Sequence, residues 1–204
     1  MSIIVEHEKR RSKILLKAMD IFIKEGYENA TYQKIADCCN ITRTTLYTYF
    51  KNKREIFYYG IKQLLMNVET DIIKVKNNND ISHTEKLIQV MKVIIDHLTE
   101  NRQLLSVIMN FIYLHSGTSF NPDNRIRRRT VRLRHILSTM LIEGIKAKEF
   151  SKSIDLKDAN ELLFSFLESA VLRLTILERI NLDDYKKAVT QAVKNFRDQD
   201  FLRH

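Results

Sequence analysis

Apolar residues recur at steps of three and four along nearly the whole chain, and the C-terminal two-thirds shows no strand alternation, so the pattern predicts helices throughout. The first helix is expected over about 8–24, with Ile14, Leu15, Ala18, Ile21 and Phe22 on one face and Gly26 just past its end, where a positive φ belongs. Short periodic stretches over 31–39 and 42–50 follow. A long one then begins at Asn52 and stops in the polar patch Asn77-Asn78-Asn79-Asp80. Further helices are predicted near 82–98, 102–114, 126–147, 156–179 and 182–198, with a loop at 115–124 holding Gly117 and Pro122. The chain has one proline and four glycines, which agrees with an almost wholly helical fold.

The two short stretches carry the most specific chemistry. Thr31 suits an N-cap, and Ile35, Ala36 and Cys39 form one apolar face of the helix after it. Asn40 suits a left-handed turn residue. Thr42 caps a second helix that buries Leu46 and Phe50 and turns Arg43, Thr44, Thr45, Tyr47, Thr48 and Tyr49 outward. Each of those six side chains can donate to a phosphate oxygen, and an arginine can grip guanine through two bonds. The segment reads as a helix-turn-helix.

Phe22, Gly26-Tyr27, Thr31, Ile35-Ala36, Ile41-Thr42, Thr45-Leu46-Tyr47, Tyr49-Phe50 and Lys51-Asn52-Lys53, in that order and at those spacings, resemble the DNA-binding domain of the TetR family of bacterial transcriptional regulators. The likeness covers roughly the first quarter of the chain. Two positions depart from the family: Asn40 stands where glycine is usual, and Thr44 where glycine or proline is common, so the recognition surface is individual. Arg43, Thr44 and Thr48, with Gln33 on the preceding helix, are the expected base readers. Thr31, Thr42, Thr45, Tyr47, Tyr49 and Lys53 complete the expected DNA contacts, mainly to phosphates, and Lys53 stands where the free N–H groups of the next helix favour an anion.

In the helix over 156–179, apolar residues cover more than half of the circumference, whereas docking on one core needs a stripe of roughly 100°. Either two faces are buried, one of them outside the subunit, or both last helices are plain core. The resemblance implies the first, because the family builds a four-helix dimer interface from its last two helices. The expected interface is Phe166, Ala170, Leu174, Tyr185, Ala188, Val189, Ala192 and Phe196. A twofold dimer also suits DNA reading, since it presents two recognition helices to a palindrome. The resemblance further implies a small-molecule pocket among the middle helices, for which Tyr58, Tyr59, Met91, Met109, Tyr113, His115, Phe120 and Phe164 are the candidate lining residues.

A formal charge of +9 is compatible with nucleic acid as a partner and equally with an ordinary basic protein. The densest basic run, Arg125, Arg127, Arg128, Arg129, Arg132 and Arg134, reads as a solvated face or as partners for acids on neighbouring helices; an anionic effector is the sharper alternative. Cys38 and Cys39 are adjacent on a helix and cannot easily meet disulfide geometry. The six histidines show no metal-holding helical spacing, and neither a catalytic dyad nor a phosphate-cradling glycine loop is present. No secretion signal or apolar run of spanning length appears, so the expected address is cytoplasmic.

These readings combine into an all-α chain with a three-helix helix-turn-helix DNA-binding domain (1–52) and a six-helix regulatory and dimerisation domain (53–204). The expected function is that of a homodimeric repressor without cofactor or enzymatic activity. It would bind palindromic double-stranded DNA and be released by a small-molecule effector. The rival is a helical small-molecule-binding or interaction protein of the same fold without sequence-specific DNA binding.

Overall fold

Helix boundaries follow the caps that the chain supplies. The computed structural model describes residues 2–115, 124–177 and 182–197, with side chains described for 5–115, 130–177 and 182–197. Among these residues nine helices run in the order α1 (Ser2–Asn29), α2 (Tyr32–Cys38), α3 (Arg43–Tyr49), α4 (Lys53–Lys76), α5 (His83–Glu100), α6 (Arg102–His115), α7 (Asn124–Lys146), α8 (Leu156–Ile176) and α9 (Asp183–Lys194). Thr31, Thr42 and Ser82 accept from the amides of Lys34, Thr45 and Glu85 at 3.0–3.1 Å, and Asp155 accepts from Lys157 and Asp158. Asn52 and Glu55 start α4 together: Asn52 Oδ1 accepts from the Glu55 amide, and Glu55 Oε2 reaches back to the Lys51 amide. α1 begins earlier than its apolar stripe predicts, because the residues before Glu8 include no helix breaker. Gly26, at φ 79° and ψ 164°, interrupts α1, and Asn40 takes the left-handed turn at φ 53°.

The chain divides into two units. One comprises Met1–Asn67 with Ser106–Leu114, the other Val68–Leu105 with His115–His204. In the first, Ile14, Ala18, Phe22, Ile35, Ala36, Leu46, Phe50, Ile56 and Phe57 are buried. The Phe57 ring lies 5.1 Å from Phe22, 4.9 Å from Tyr27 and 5.2 Å from Phe111, which the middle of α6 contributes. In the second, α5 is central and packs against α7, α8 and α9. Its neighbours Asp96 and His97 diverge, the first pairing with Lys186 of α9 and the second with Asp71 of α4 at 2.9 Å.

Burial in α8 and α9 corrects the expected interface. Ala170, Leu174, Val189 and Phe196 are buried in the second unit's own core and have no surface to offer a partner. The helical phase is set by packing on α5 and α7, which takes up Ala159, Leu163, Leu167, Ala170 and Leu174 and turns a different stripe outward. Leu162, Ser165, Leu172 and Ile176 are exposed, with Ser169 half-buried among them. These positions fall at three- and four-residue steps, so they form one face. On α9, Ala188 is exposed and Tyr185 and Ala192 half-buried, and the Tyr185 ring packs against Phe166 at 5.8 Å.

Glu149, in the turn after α7, caps α5 from 66 residues away. Its carboxylate accepts from the His83 and Thr84 amides, both at 2.8 Å, and from the Thr84 hydroxyl at 3.0 Å. Burial raises the carboxyl pKa, but the two amides and the hydroxyl outweigh it, and the net position is below the usual glutamate value of 4.5. A depressed folded-state pKa adds stability that is complete above the unfolded value and lost as pH falls through the folded one. Glu149→Gln is therefore expected to lower stability by about 2 kcal/mol at pH 7 and to flatten the acid limb below pH 4.5. Urea melts at pH 3–7 check this, and equal acid dependence in both proteins would refute it.

Candidate nucleic-acid interface

The candidate recognition surface is built on α3, whose seven residues are held by the Thr42 cap and by Leu46 and Phe50, both buried beneath it. Ile35 and Ala36 of α2, also buried, form the other side of that contact. With this face fixed inward, Arg43, Thr44, Tyr47 and Thr48 are exposed, and Thr45 and Tyr49 half-buried. The Thr45 hydroxyl lies 2.8 Å from that of Thr42, and Thr48 donates to the Thr45 carbonyl at 2.7 Å. Both threonines are thereby oriented by their own helix end.

Thr31 spends one lone pair on its cap and stays exposed at the start of α2. Gln33 is exposed and donates to Asp37 at 2.8 Å, an intrahelical bond that a base edge would have to displace. Lys53 is more constrained than its sequence position suggests. Its ammonium donates to the Tyr27 carbonyl at 2.7 Å and lies 4.3 Å from the Tyr27 ring centroid. Burial lowers its pKa, opposed by Glu28. The side chain fastens the start of α4 to the end of α1.

Two contacts on this surface lie beyond the reach of sequence pattern. The His7 ring stacks on Tyr49 with centroids 4.6 Å apart, setting the first turns of α1 against the end of α3. The Tyr32 hydroxyl donates to the carbonyl of Phe50 at 2.5 Å, and its ring lies 4.8 Å from that of Tyr47. The only advance signal for either was an aromatic or imidazole side chain near the motif. Cys38 is exposed and Cys39 half-buried, where burial and then the Cys38 thiol push the Cys39 pKa up.

The expected pocket residues fall in different surroundings. In the first unit, Tyr59 lines a cleft of about 190 Å³ with Glu8, Arg11, Ser12 and Lys62. Tyr58, Met109 and Tyr113 do not line it; Tyr58 accepts from Arg54 at 3.3 Å, Met109 is exposed and Tyr113 is 78% exposed. In the second unit, Met91 is fully buried core, and Phe164 is buried with the Arg134 guanidinium 3.9 Å above its ring. His115 ends α6, and Phe120 lies outside the described residues. The physical reason is that Met91 and Phe164 are absorbed by packing inside their own unit. Of the arginine run, Arg134 pairs with Glu161 at 2.5 Å and Arg132 with Glu69 at 3.6 Å; the side chains of the other four lie outside the described residues.

Among the described residues no group of three His, Cys, Asp or Glu side chains could hold a metal ion, and no helix is long and apolar enough to cross a membrane. Residues 14–58 match the family model of bacterial regulatory proteins, tetR family. The fatty acid metabolism regulator protein of Bacillus subtilis is 24% identical over 163 residues, 78% of this chain and 80% of that one. The biofilm operon icaADBC negative transcriptional regulator IcaR of Staphylococcus epidermidis is 24% identical over 190 residues, covering 93% of this chain and 94% of its own. The crystal structure of FadR from Bacillus subtilis in complex with stearoyl-CoA superposes with a TM-score of 0.71 at 20% identity, over 92% of this chain and 99% of that one, which shows a shared fold. Helix-turn-helix geometry and family match agree on residues 14–58, which are similar to the DNA-binding domain of bacterial regulatory proteins of the tetR family, and the chain as a whole shares the fold of FadR.

Proposed function

We propose that this protein is a homodimeric repressor whose two α3 helices read a palindromic operator and whose DNA affinity falls when a largely apolar small molecule binds. The observation that carries DNA reading is the outer face of α3, where Arg43, Thr44 and Thr48 are exposed on a helix whose opposite face is buried. Residues 1–52 supply the DNA contacts in this reading, with Arg43, Thr44, Thr48 and Gln33 on bases and Thr31, Thr42, Thr45, Tyr47 and Tyr49 on phosphates or their positioning. The remainder carries effector and partner contacts. Two reading heads one helical turn or a small multiple apart, roughly 34 Å per turn, match a palindrome.

Repression is supported by the negative regulator IcaR among the relatives. An acyl-chain effector is supported by the fatty acid metabolism regulator and by the stearoyl-CoA bound in the FadR crystal structure. A ligand lowers DNA affinity by its differential preference for the two states, so release needs only tighter binding to the conformation with mismatched spacing.

The test is selection of a duplex from a random library by the wild-type protein, followed by binding of Arg43→Ala and by titration with stearoyl-CoA. Loss of one bidentate base contact predicts an affinity drop of about 1–3 kcal/mol per half-site, confined to the selected sequence. A library that yields no enriched sequence, or an Arg43→Ala protein with unchanged affinity, removes the reading. Release by stearoyl-CoA supports the acyl effector; unchanged DNA binding at saturating stearoyl-CoA refutes it.

A further inference from the structure

A surface arginine that must find one base edge works better if its conformations are restricted before it meets DNA. Immobilising a free, rotamer-rich side chain on binding costs roughly a factor of two to ten in affinity. Arg43 opens α3 and is exposed, yet it does not stand alone. Its guanidinium lies 5.8 Å from the Tyr47 ring centroid and 5.9 Å from that of Tyr32, and its Nη2 donates to the Tyr47 hydroxyl at 3.3 Å. Tyr47 is on the same helix, one turn on, and moves with Arg43. Tyr32 is not: it opens α2, and its ring backs that of Tyr47 at 4.8 Å.

The Tyr32 hydroxyl is anchored as well. It donates to the carbonyl of Phe50, the C-cap of α3, at 2.5 Å, so one side chain of α2 touches α3 near both of its ends. The last carbonyls of a helix lack intrahelical partners, and a seven-residue helix has little length to keep its own direction. Burial, with Tyr47 second, pushes the Tyr32 phenol up to about 12, so it remains a donor at any working pH.

From this arrangement we infer that Tyr32 is a specificity-determining positioning residue. It fixes the direction of Arg43 through its ring, which its hydroxyl anchors on the C-cap carbonyl of α3, without touching a base itself. The inference rests on the proposal that Arg43 reads a base. It accounts for the large aromatic at a helix start where Thr31 already supplies the cap.

A thermodynamic cycle on the selected duplex tests this, using wild type, Tyr32→Leu, Arg43→Ala and the double variant, with a scrambled duplex for non-specific affinity. Tyr32→Leu is expected to weaken specific binding about tenfold, within the span of one base contact, and to leave scrambled binding unchanged. The double variant should bind no worse than Arg43→Ala alone, because a positioning residue has nothing left to position. Tyr32→Phe, which keeps the ring, should retain discrimination within about threefold and melt earlier. Additive losses, or wild-type affinity in Tyr32→Leu beside a weakened Arg43→Ala, overturn the role of Tyr32 and leave the reading of Arg43 intact. An unaffected Arg43→Ala overturns that reading and this inference with it. Should Tyr32→Leu fail to fold, ¹⁵N relaxation of the Arg43 Nε–H group in the free wild type decides: a restricted group supports the inference, and one as mobile as a solvated arginine refutes it.

Discussion

In the proposed dimer, Leu172→Asp is expected to leave a monomer at micromolar concentration and to cut affinity for the selected duplex by about 10²–10⁴. Leu172 is 56% exposed and Ile176 66%, on a face continued by Leu162, Ser165 and Ser169. Apolar side chains aligned along two turns and more of one helix are unusual on a monomer surface, and small neighbours such as Ser165, Ser169 and Ala188 would let a second helix approach closely. In a twofold interface each residue occurs twice, so one substitution buries two like charges. A buried charge without a partner costs several kcal/mol, enough to split an interface of ordinary size. The subunit itself should fold normally, because the altered position is exposed. Analytical ultracentrifugation and a gel shift read the two effects. A dimeric Leu172→Asp protein would sink the assignment of this stripe, and a monomeric wild type would sink the dimer.

Local features of this fold were legible in advance. Thr31 and Thr42 cap the next helix through their own side chains, Asn40 takes the left-handed turn, and Asn52 starts α4. All depend on residues within four positions of each other. The outward set on α3 was legible for the same reason, since Leu46 and Phe50 fix the helix phase.

What could not be read depends on neighbours far along the chain. Glu149 caps α5 from 66 positions away, and Tyr32 holds the carbonyl of Phe50. Apolar periodicity gives α8 a broad coat without saying which arc meets α5 and α7. For that reason Ala170 and Leu174 were assigned outward although packing takes them in, while Leu172 and Ile176 went unremarked. Lys53 shows the limit from another side: its charge beside the motif suggested a phosphate, and its ammonium is engaged by the carbonyls of Tyr27 and Glu28.

Phe57→Ala is expected to destabilise the DNA-binding unit by about 3–5 kcal/mol, the usual range for emptying a buried phenylalanine site. Phe57 is fully buried, and its ring meets Phe22 edge-on, Tyr27 at a tilt and Phe111 edge-on. Those partners come from either side of the Gly26 kink in α1 and from α6, so one ring of α4 ties together three helices that are distant in sequence. Relaxation into the cavity is hindered because Phe22 is itself fully buried and the Tyr27 ring is covered by the Lys53 ammonium. Against a domain stability of about 5–15 kcal/mol, such a loss leaves the recognition helix on a marginal support. Phe57→Leu keeps most of the volume and should cost about 1.5 kcal/mol, which separates ring geometry from simple filling. Because the chain has no tryptophan, urea unfolding is best followed by far-ultraviolet circular dichroism together with tyrosine emission. Operator affinity should fall with stability in Phe57→Ala and recover on cooling toward the temperature of maximum stability. A loss below about 1 kcal/mol in Phe57→Ala would mean that the aromatic cluster does not hold α1, α4 and α6 together.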